Sequence, residues 1–445
     1  MMKSSLPLGE FAARRARLMA QLPAGGLAIV PGASMRHRNR DVEYPFRQDS
    51  DFYYLTGFNE PDAVLVLLPG RSDGETVLFC QGRDPEMEIW NGYRTGPEGA
   101  MQHYGLDAAH PVDEIDKRLP ELIDGRRSIC YSIGSDEALD NRVRQWLKAV
   151  RSRARQGAVA PTELVMLDPL LHELRLFKSE AEIGLMREAG RISAQAHVRA
   201  MQQCRPGLFE YQLEAEISHH FAMNGCHLPA YSSIVGGGAN GCILHYTENR
   251  DALCAGDLVL IDAGCELEYY AGDITRTFPV DGHFSPEQKQ LYELVLRTQL
   301  ACIERVKPGV LWNEVHDLSV HMLTEGLVAL GLLEGDVDTL IETGAYREFY
   351  MHRLGHWLGM DVHDVGDYRV EGEWRPLQPG MVMTVEPGLY VSPHNEGVEP
   401  RWRGIGIRIE DDVLVTETGG EVLSAAAPKS VAEIEQLMAK ARQSR

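Results

Sequence analysis

Four acidic residues stand in this chain where an acid is least stable. Asp262 closes the run Gly256-Asp257-Leu258-Val259-Leu260-Ile261-Asp262-Ala263-Gly264, and Glu386 holds the same place in Gly380-Met381-Val382-Met383-Thr384-Val385-Glu386-Pro387-Gly388. In both, a glycine opens an apolar β-type run, the acid follows, and a second glycine comes two residues later. A run as apolar as Leu258 to Ile261 reads as a buried strand. A lone carboxylate there costs several kcal/mol or more and tends to protonate. Two matched acids therefore predict a duplicated scaffold whose halves face each other across a cation site. Each acid has a downstream partner: Asp273 in Asp273-Ile274-Thr275-Arg276-Thr277-Phe278, and Glu410 in Gly406-Ile407-Arg408-Ile409-Glu410. The turn-like stretch from Glu266 to Gly272 predicts a β-hairpin with Asp262 and Asp273 on its arms. Period-two alternation sets Arg408 and Glu410 on one strand face.

Histidines lead into these acids. His245 lies in Ile243-Leu244-His245-Tyr246, and His352, His356 and His363 fall between Met351 and Asp364. The spacing of His352 and His356 resembles that of a His-Glu-x-x-His zinc helix, but Arg353 occupies the glutamate position. Gly355 and Gly359 also disfavour a helix through this stretch. Four carboxylates with one imidazole make a set of hard donors that suits Mn²⁺, with Co²⁺, Fe²⁺ or Zn²⁺ as alternatives on affinity. One divalent ion leaves the carboxylates under-neutralised. Two bring the cluster near neutrality, and Arg408 can offset a bridging hydroxide. Charge balance thus predicts a two-metal hydrolase, in which paired ions activate water and polarise a carbonyl or phosphoryl oxygen. The glycine-rich stretch Gly236 to Gly241 lacks the Lys-Ser/Thr ending of a phosphate loop, and no serine-elbow or cysteine-nucleophile signature occurs.

The elements that must position these residues also occur twice. Ser179-Glu180-Ala181-Glu182 is a capping box opening a long helix with Ile183, Met186, Ile192 and Ala196 on one face. That helix runs into Arg205-Pro206-Gly207, and a second covers about Glu210 to Asn224. Ser285-Pro286-Glu287-Gln288 repeats the box, its helix ends at Lys307-Pro308-Gly309, and a second follows from about Trp312 to Leu330. Each pair precedes a β-rich block holding one matched segment, so the reading is an α+β domain with a central antiparallel sheet and an internal duplication. Residues 1–176 read as a separate domain of strands and short helices, including Leu27 to Val30, Ala63 to Leu68, Thr76 to Cys80 and a helical Glu137 to Val150. The catalytic domain is then 177–445. Arg151 to Gly157 reads as an exposed loop.

The 445 residues carry a net charge of −21, which argues against general nucleic-acid or anionic-membrane binding. Eight scattered cysteines without a Cys-x-x-Cys pair fit reduced thiols. No signal-peptide core or membrane span is visible, so a cytoplasmic location is expected.

These motifs resemble the pita-bread metallopeptidases, specifically the aminopeptidase P (Xaa-Pro aminopeptidase) family. The stretches carrying the resemblance run from Ile243 to Asn249, Leu260 to Gly264, Ala271 to Phe278, Gly355 to Gly359, Thr384 to Gly388 and Gly406 to Glu410. Arg40-Asp41-Val42-Glu43-Tyr44 and Asp51-Phe52-Tyr53-Tyr54-Leu55-Thr56-Gly57-Phe58 resemble a signature of the family's creatinase/prolidase-like N-terminal domain. The resemblance implies a pseudo-two-fold pita-bread domain holding two divalent ions. Asp262 and Asp273 would bind one, His356 and Glu410 the other, with Asp273, Glu386 and Glu410 positioned to contact or bridge. Glu386 would carry the proton to the leaving proline nitrogen. His245 and His363 would hold substrate and stabilise the tetrahedral intermediate. His352, Tyr368 and an arginine would shape the proline pocket, with Arg408 and Tyr390 behind the acids. The stretch from Asp367 to Pro379 is a residue longer than the family's usual spacing, which leaves the pocket arginine open between Arg369 and Arg375. Trp90 resembles a tryptophan that reaches a neighbouring subunit's active site, alongside the plain reading as a core residue. The implied substrates are peptides with proline in second position, cut by a homotetramer or dimer.

Three rivals remain. A prolidase uses the same ligands but is closed beyond the proline and cleaves only Xaa-Pro dipeptides. Methionine aminopeptidase shares the catalytic fold but normally lacks the large N-terminal domain. A non-catalytic pita-bread binding module loses metal ligands, whereas here none is missing.

Overall fold

A computed structural model describes residues 5–443. The chain forms two compact units, Met1–Arg175 and Leu176–Arg445, dividing one residue earlier than the sequence expectation. The first unit holds a six-stranded mixed sheet of β1 (Gly26–Pro31), β2 (Val64–Leu67), β3 (Thr76–Cys80), β4 (Ala108–Pro111), β5 (Ser128–Tyr131) and β6 (Glu163–Met166). Their order is β4-β3-β2-β1-β5-β6, with β1, β2 and β3 antiparallel and the outer pairings parallel. Helix Glu137–Ser152 packs Leu139, Val143, Trp146 and Val150 into the core of this unit. It runs past Arg151, where a loop was expected, and a short 3-10 turn follows over Ala154–Gln156.

In the second unit both capping boxes form as the sequence predicts. Ser179 and Glu182 open the helix Glu180–Gln203, and Ser285 and Gln288 open Pro286–Arg305. Each reciprocal pair satisfies two of the orphan N–H groups of a helix start. Each helix packs against the next, Glu210–Met223 and Trp312–Ala329 respectively.

The first half continues with β7 (Ile234–Gly237), β8 (Leu258–Asp262), the short ribbon β9 (Glu266–Leu267) and β10 (Tyr270–Ala271), and β11 (Thr275–Pro279). Strand β8 lies between β7 and β11, antiparallel to both. It is buried on both faces: Val259 and Ile261 enter the main core, while Leu260 packs with Ile234, Tyr246 and Tyr390. The second half has the ribbon β12 (Arg369–Val370) and β13 (Glu373–Trp374), then β14 (Val382–Val385), β15 (Gly388–Val391), β16 (Ile405–Arg408), β17 (Asp411–Val415) and β18 (Gly420–Val422). Strand β14 pairs with β17, and β15 pairs with β16, so one long antiparallel arm is interrupted at Glu386-Pro387 and Ile409-Glu410. Pro387 has no N–H to donate, which breaks the ladder there. The matched glycines Gly256 and Gly380 both adopt positive φ, +86° and +91°, a conformation that glycine reaches without the steric cost of a Cβ.

The halves meet along β11. Glu410 N–H donates to Thr275 O at 3.1 Å, Arg408 N–H to Thr277 Oγ1 at 3.2 Å, and Thr277 Oγ1 to Arg408 O at 3.0 Å. Beneath this seam, Arg276 Nη2 is 2.7 Å from Asp411 Oδ1, both side chains fully buried, and Lys429 Nζ reaches Asp411 Oδ2 at 2.6 Å. Burial works to raise the Asp411 pKa, but Arg276 and Lys429 outweigh it and hold the carboxyl well below its usual range.

Candidate metal centre and cleft

The break in the β14–β17 arm is what frees the acids. Glu386 and Glu410 sit in the gap between paired segments, Glu386 anchored by its N–H to Leu354 O at 2.8 Å. Asp262 is the last residue of β8, on the face opposite Val259 and Ile261. Asp273 lies not on the second hairpin arm, as expected, but two residues before β11 begins. The β9–β10 ribbon occupies the turn, and the Asp273 N–H is held at 3.1 Å by Asp412 Oδ2. His356 belongs to a non-helical strap laid along β14: its N–H donates to Thr384 Oγ1 at 3.0 Å, and its carbonyl accepts from the Thr384 N–H. Gly355 permits that approach, since a Cβ there would stand 2.0 Å from Thr384 O.

These elements bring nine of the expected residues onto one cleft of about 580 Å³. Asp262, Asp273, His356, Glu386 and Glu410 line it, as do the histidines His245, His352 and His363 and the base Arg408. Ligating atoms of Asp273, His356 and Glu410 all lie within 4.8 Å of one another. His356 Nε2 is 3.4 Å from Asp273 Oδ2 and 3.6 Å from Glu386 Oε1. Its Nδ1 lies 2.9 Å from Trp357 O, so the ring proton sits on Nδ1 and the Nε2 lone pair faces carboxylate oxygens. A lone pair aimed at acids is favourable only with a cation or proton between them. Burial works to lower the His356 pKa, yet Asp273 and Glu386 raise it to about 9. Burial, with the like charges of Asp273 and Asp262, raises Glu386 to about 7, and burial with the neighbouring acids pushes Glu410 well above its ordinary range. This donor set fits divalent cations: four crowded carboxylates and one tautomer-locked imidazole lack the positive charge that would stabilise their ligating forms.

Behind the acids runs a chain of donors. Arg408 Nη2 lies 2.5 Å from Asp262 Oδ2, its Nε donates to Thr275 Oγ1 at 3.1 Å, and Thr275 Oγ1 donates to Glu410 Oε2 at 2.6 Å. Arg408 Nη1 donates at 3.0 Å to the Tyr390 hydroxyl, which is 2.9 Å from His352 Nε2. His352 Nδ1 in turn meets Arg353 O at 2.7 Å. Both imidazole nitrogens of His352 are therefore engaged by the protein, and burial first, with Arg408, lowers its pKa to about 4.

Five expected residues lie elsewhere. Tyr390 is buried behind the cleft wall in the chain just described. Tyr368 stacks on Trp357 with ring planes 5° apart, and its oxygen accepts the Trp357 N–H. Neither Arg369 nor Arg375 lines the cleft. The 367–379 stretch closes into the β12–β13 ribbon, with Glu371 and Gly372 at positive φ in its two-residue turn. That ribbon lays Arg369 over the Trp374 ring at 4.1 Å and buries Arg375. The second arginine on the cleft is Arg353. Trp90 belongs to the first unit, on the helix Pro85–Asn91, and is 82% exposed rather than a core residue. Sequence reasoning missed Tyr231, whose hydroxyl is 2.5 Å from both Asp262 Oδ1 and Asp273 Oδ1. A lone tyrosine in a loop carries no periodic signal. Asp412 was missed as well, although it follows directly on the run to Glu410 and reads as one more strand residue.

Comparison with known proteins agrees with this geometry. Residues 184–417 match the model of metallopeptidase family M24, and residues 11–131 match that of the aminopeptidase P N-terminal domain. The chain is 49% identical to the Xaa-Pro aminopeptidase of Escherichia coli K12 over 99% of both chains. The Pseudomonas aeruginosa aminopeptidase PepP structure superposes with a TM-score of 0.98 at 58% identity, covering 99% of this chain and all of the other. A zinc-substituted E. coli aminopeptidase P in complex with product gives 0.96 at 49% identity, with the same coverage. On a family match spanning more than half its residues and near-full-length likeness to these enzymes, the chain belongs to metallopeptidase family M24, with an aminopeptidase P N-terminal domain preceding the catalytic one.

Proposed function

We infer that the chain is a metal-dependent exopeptidase releasing the N-terminal residue from peptides with proline in second position. The observation that carries this is the cleft itself: Asp262, Asp273, His356, Glu386 and Glu410 converge in one cavity without a substitution, in a chain 49% identical to an Xaa-Pro aminopeptidase. Two divalent ions, Mn²⁺ by the hardness of the donors, are the proposed cofactors. When bound, such a pair supplies an activated water and a Lewis acid for the scissile carbonyl.

The remaining steps fall to side chains. Glu386 lines the cleft with its Oε1 3.6 Å from His356 Nε2, a place from which its carboxylate can take a proton from the attacking water and deliver it to the proline nitrogen. That nitrogen is a tertiary amide without N–H, so the ring has to be read by shape. His352 serves as a wall rather than a hydrogen-bond donor, because Tyr390 and the Arg353 carbonyl already occupy its two nitrogens. His245 and His363 border the same cleft, where they can donate to the carbonyl oxygen as it gains charge. Arg408 and Tyr231 hold the acids in place.

A homo-oligomer is part of the proposal. Trp90, Ile89 and Tyr93 are 82, 82 and 83% exposed together, an unusual cluster for a surface facing only water. All eight cysteines are free thiols, which fits a reducing cytoplasm. Among the described residues no helix is long and apolar enough to cross a membrane. The experiment that tests the activity compares Xaa-Pro with Xaa-Pro-Xaa substrates in Mn²⁺, with and without chelator. Chelator-sensitive cleavage of the longer peptide is expected, and cleavage of the dipeptide alone would assign a prolidase instead.

A further inference from the structure

The charges on the cleft are unevenly matched. Its four carboxylates gather at one pole, and the Arg408 guanidinium there is already committed to Asp262, Tyr390 and Thr275. Arg353 is different. It lines the same cleft, it is exposed, and among the described residues its guanidinium makes no ion pair or hydrogen bond. It follows directly on His352, the residue assigned above as a wall for the proline ring. A guanidinium stays charged at any working pH, and its planar fork matches a carboxylate through two parallel N–H donors. No acid of the cleft pairs with it, so its donors stand open to a ligand entering the cleft.

We propose that Arg353 is a specificity residue that binds a carboxylate on the substrate beyond the proline. This rests on the exopeptidase reading above. A short peptide carries an ammonium at one end and a carboxylate at the other. The acidic pole attracts the ammonium, and Arg353 receives the carboxylate where the chain leaves the proline pocket. The carboxylate belongs either to the C-terminus of a tripeptide or to an acidic side chain following proline. Exposed ion pairs of this kind are modest, so the expected preference is about threefold to fivefold in kcat/KM. It acts through KM, because the contact is remote from the reacting bond and equally strong in ground and transition states.

The test uses two matched pairs of peptides in Mn²⁺ at low salt, with wild type, Arg353→Met and Arg353→Glu. One pair is Xaa-Pro-Ala and its C-terminal amide; the other is Xaa-Pro-Glu-amide and Xaa-Pro-Gln-amide. Within each enzyme the charged-to-neutral ratio of kcat/KM is read, which cancels any general loss of activity. The ratio is expected to exceed one in wild type, fall to about one in Arg353→Met and drop below one in Arg353→Glu. A response in the first pair identifies the terminal carboxylate, and one in the second identifies the side chain. Ratios that ignore residue 353 in both pairs overturn the proposal while leaving the peptidase intact. No cleavage of any peptide by wild type would overturn the peptidase reading beneath it.

Discussion

Removing the Tyr231 hydroxyl tests whether the acids are held for metal. That oxygen lies 2.5 Å from Asp262 Oδ1 and from Asp273 Oδ1, and one proton can serve only one of them at a time. Burial and the two neighbouring acids raise its pKa well above the ordinary tyrosine value, so it remains a donor. A hydrogen bond to an ionised acceptor contributes about 1.5–3 kcal/mol. Asp262 keeps a second donor in Arg408, so Asp273 is the ligand left loose in Tyr231→Phe. If that energy is lost from metal binding, Mn²⁺ affinity falls by roughly 10- to 150-fold, comparable to the roughly 10- to 100-fold typical of residues that orient metal ligands. Phenylalanine removes a single oxygen and leaves the ring packing in place. Calorimetric titration in chelator-buffered Mn²⁺ measures the change, with circular dichroism checking the fold. A dissociation constant within twofold of wild type would show that the hydroxyl does not organise these acids, and the donor chain drawn around them would fail with it.

Three further outcomes are expected. Glu386→Gln keeps an oxygen ligand but cannot carry a proton, so kcat falls by about 10²- to 10⁴-fold in Mn²⁺-loaded enzyme; residual activity near wild type in a stopped assay would remove Glu386 from the proton path. Asp411→Asn strands the fully buried Arg276 guanidinium and is expected to lower unfolding stability by about 3–5 kcal/mol, read by urea denaturation. Acid should weaken the fold through His197, which is fully buried, bonded at 3.0 Å to Ala263 O and lowered by burial to about pH 4. Because its folded pKa lies below the unfolded value near 6.5, the unfolded chain binds more protons as pH falls. The stability contributed by the neutral ring is complete above about 6.5 and lost towards 4, by roughly 3 kcal/mol. His197→Gln should flatten that part of the wild-type stability–pH curve, and an unchanged slope would contradict the assignment.

Much of this molecule is local in origin. The capping boxes at Ser179 and Ser285 form because their partners stand three residues apart and need nothing else. The apolar run into Asp262 forms a strand because its side chains alternate into two apolar cores. The resemblance that named the five ligands rested on short contiguous motifs around them. What the sequence did not disclose depends on chain folding back on itself. The stretch between Asp367 and Pro379 folds into a ribbon that keeps Arg369 and Arg375 off the cleft, where Arg353 stands. The β9–β10 ribbon displaces Asp273 from its expected arm, and the interruption at Pro387 turns a regular hairpin into a gap for two acids.

By itself, then, the sequence determined which donors this protein owns and in what order, since ligand hardness and strand periodicity are properties of residue type and spacing. Only the tertiary structure decided which of them meet. Arg408 and Asp262 stand 146 residues apart, and Thr275 and Glu410 stand 135 apart, yet both pairs are in hydrogen-bond contact because β11 is bonded alongside the second half. The ring that faces the acids was likewise chosen in three dimensions. Among four candidate histidines, His356 alone has its Nδ1 tied to Trp357 O and its Nε2 within 4 Å of Asp273 and Glu386. Spacing along a chain cannot encode that orientation, because it depends on where a neighbouring strand places a carbonyl.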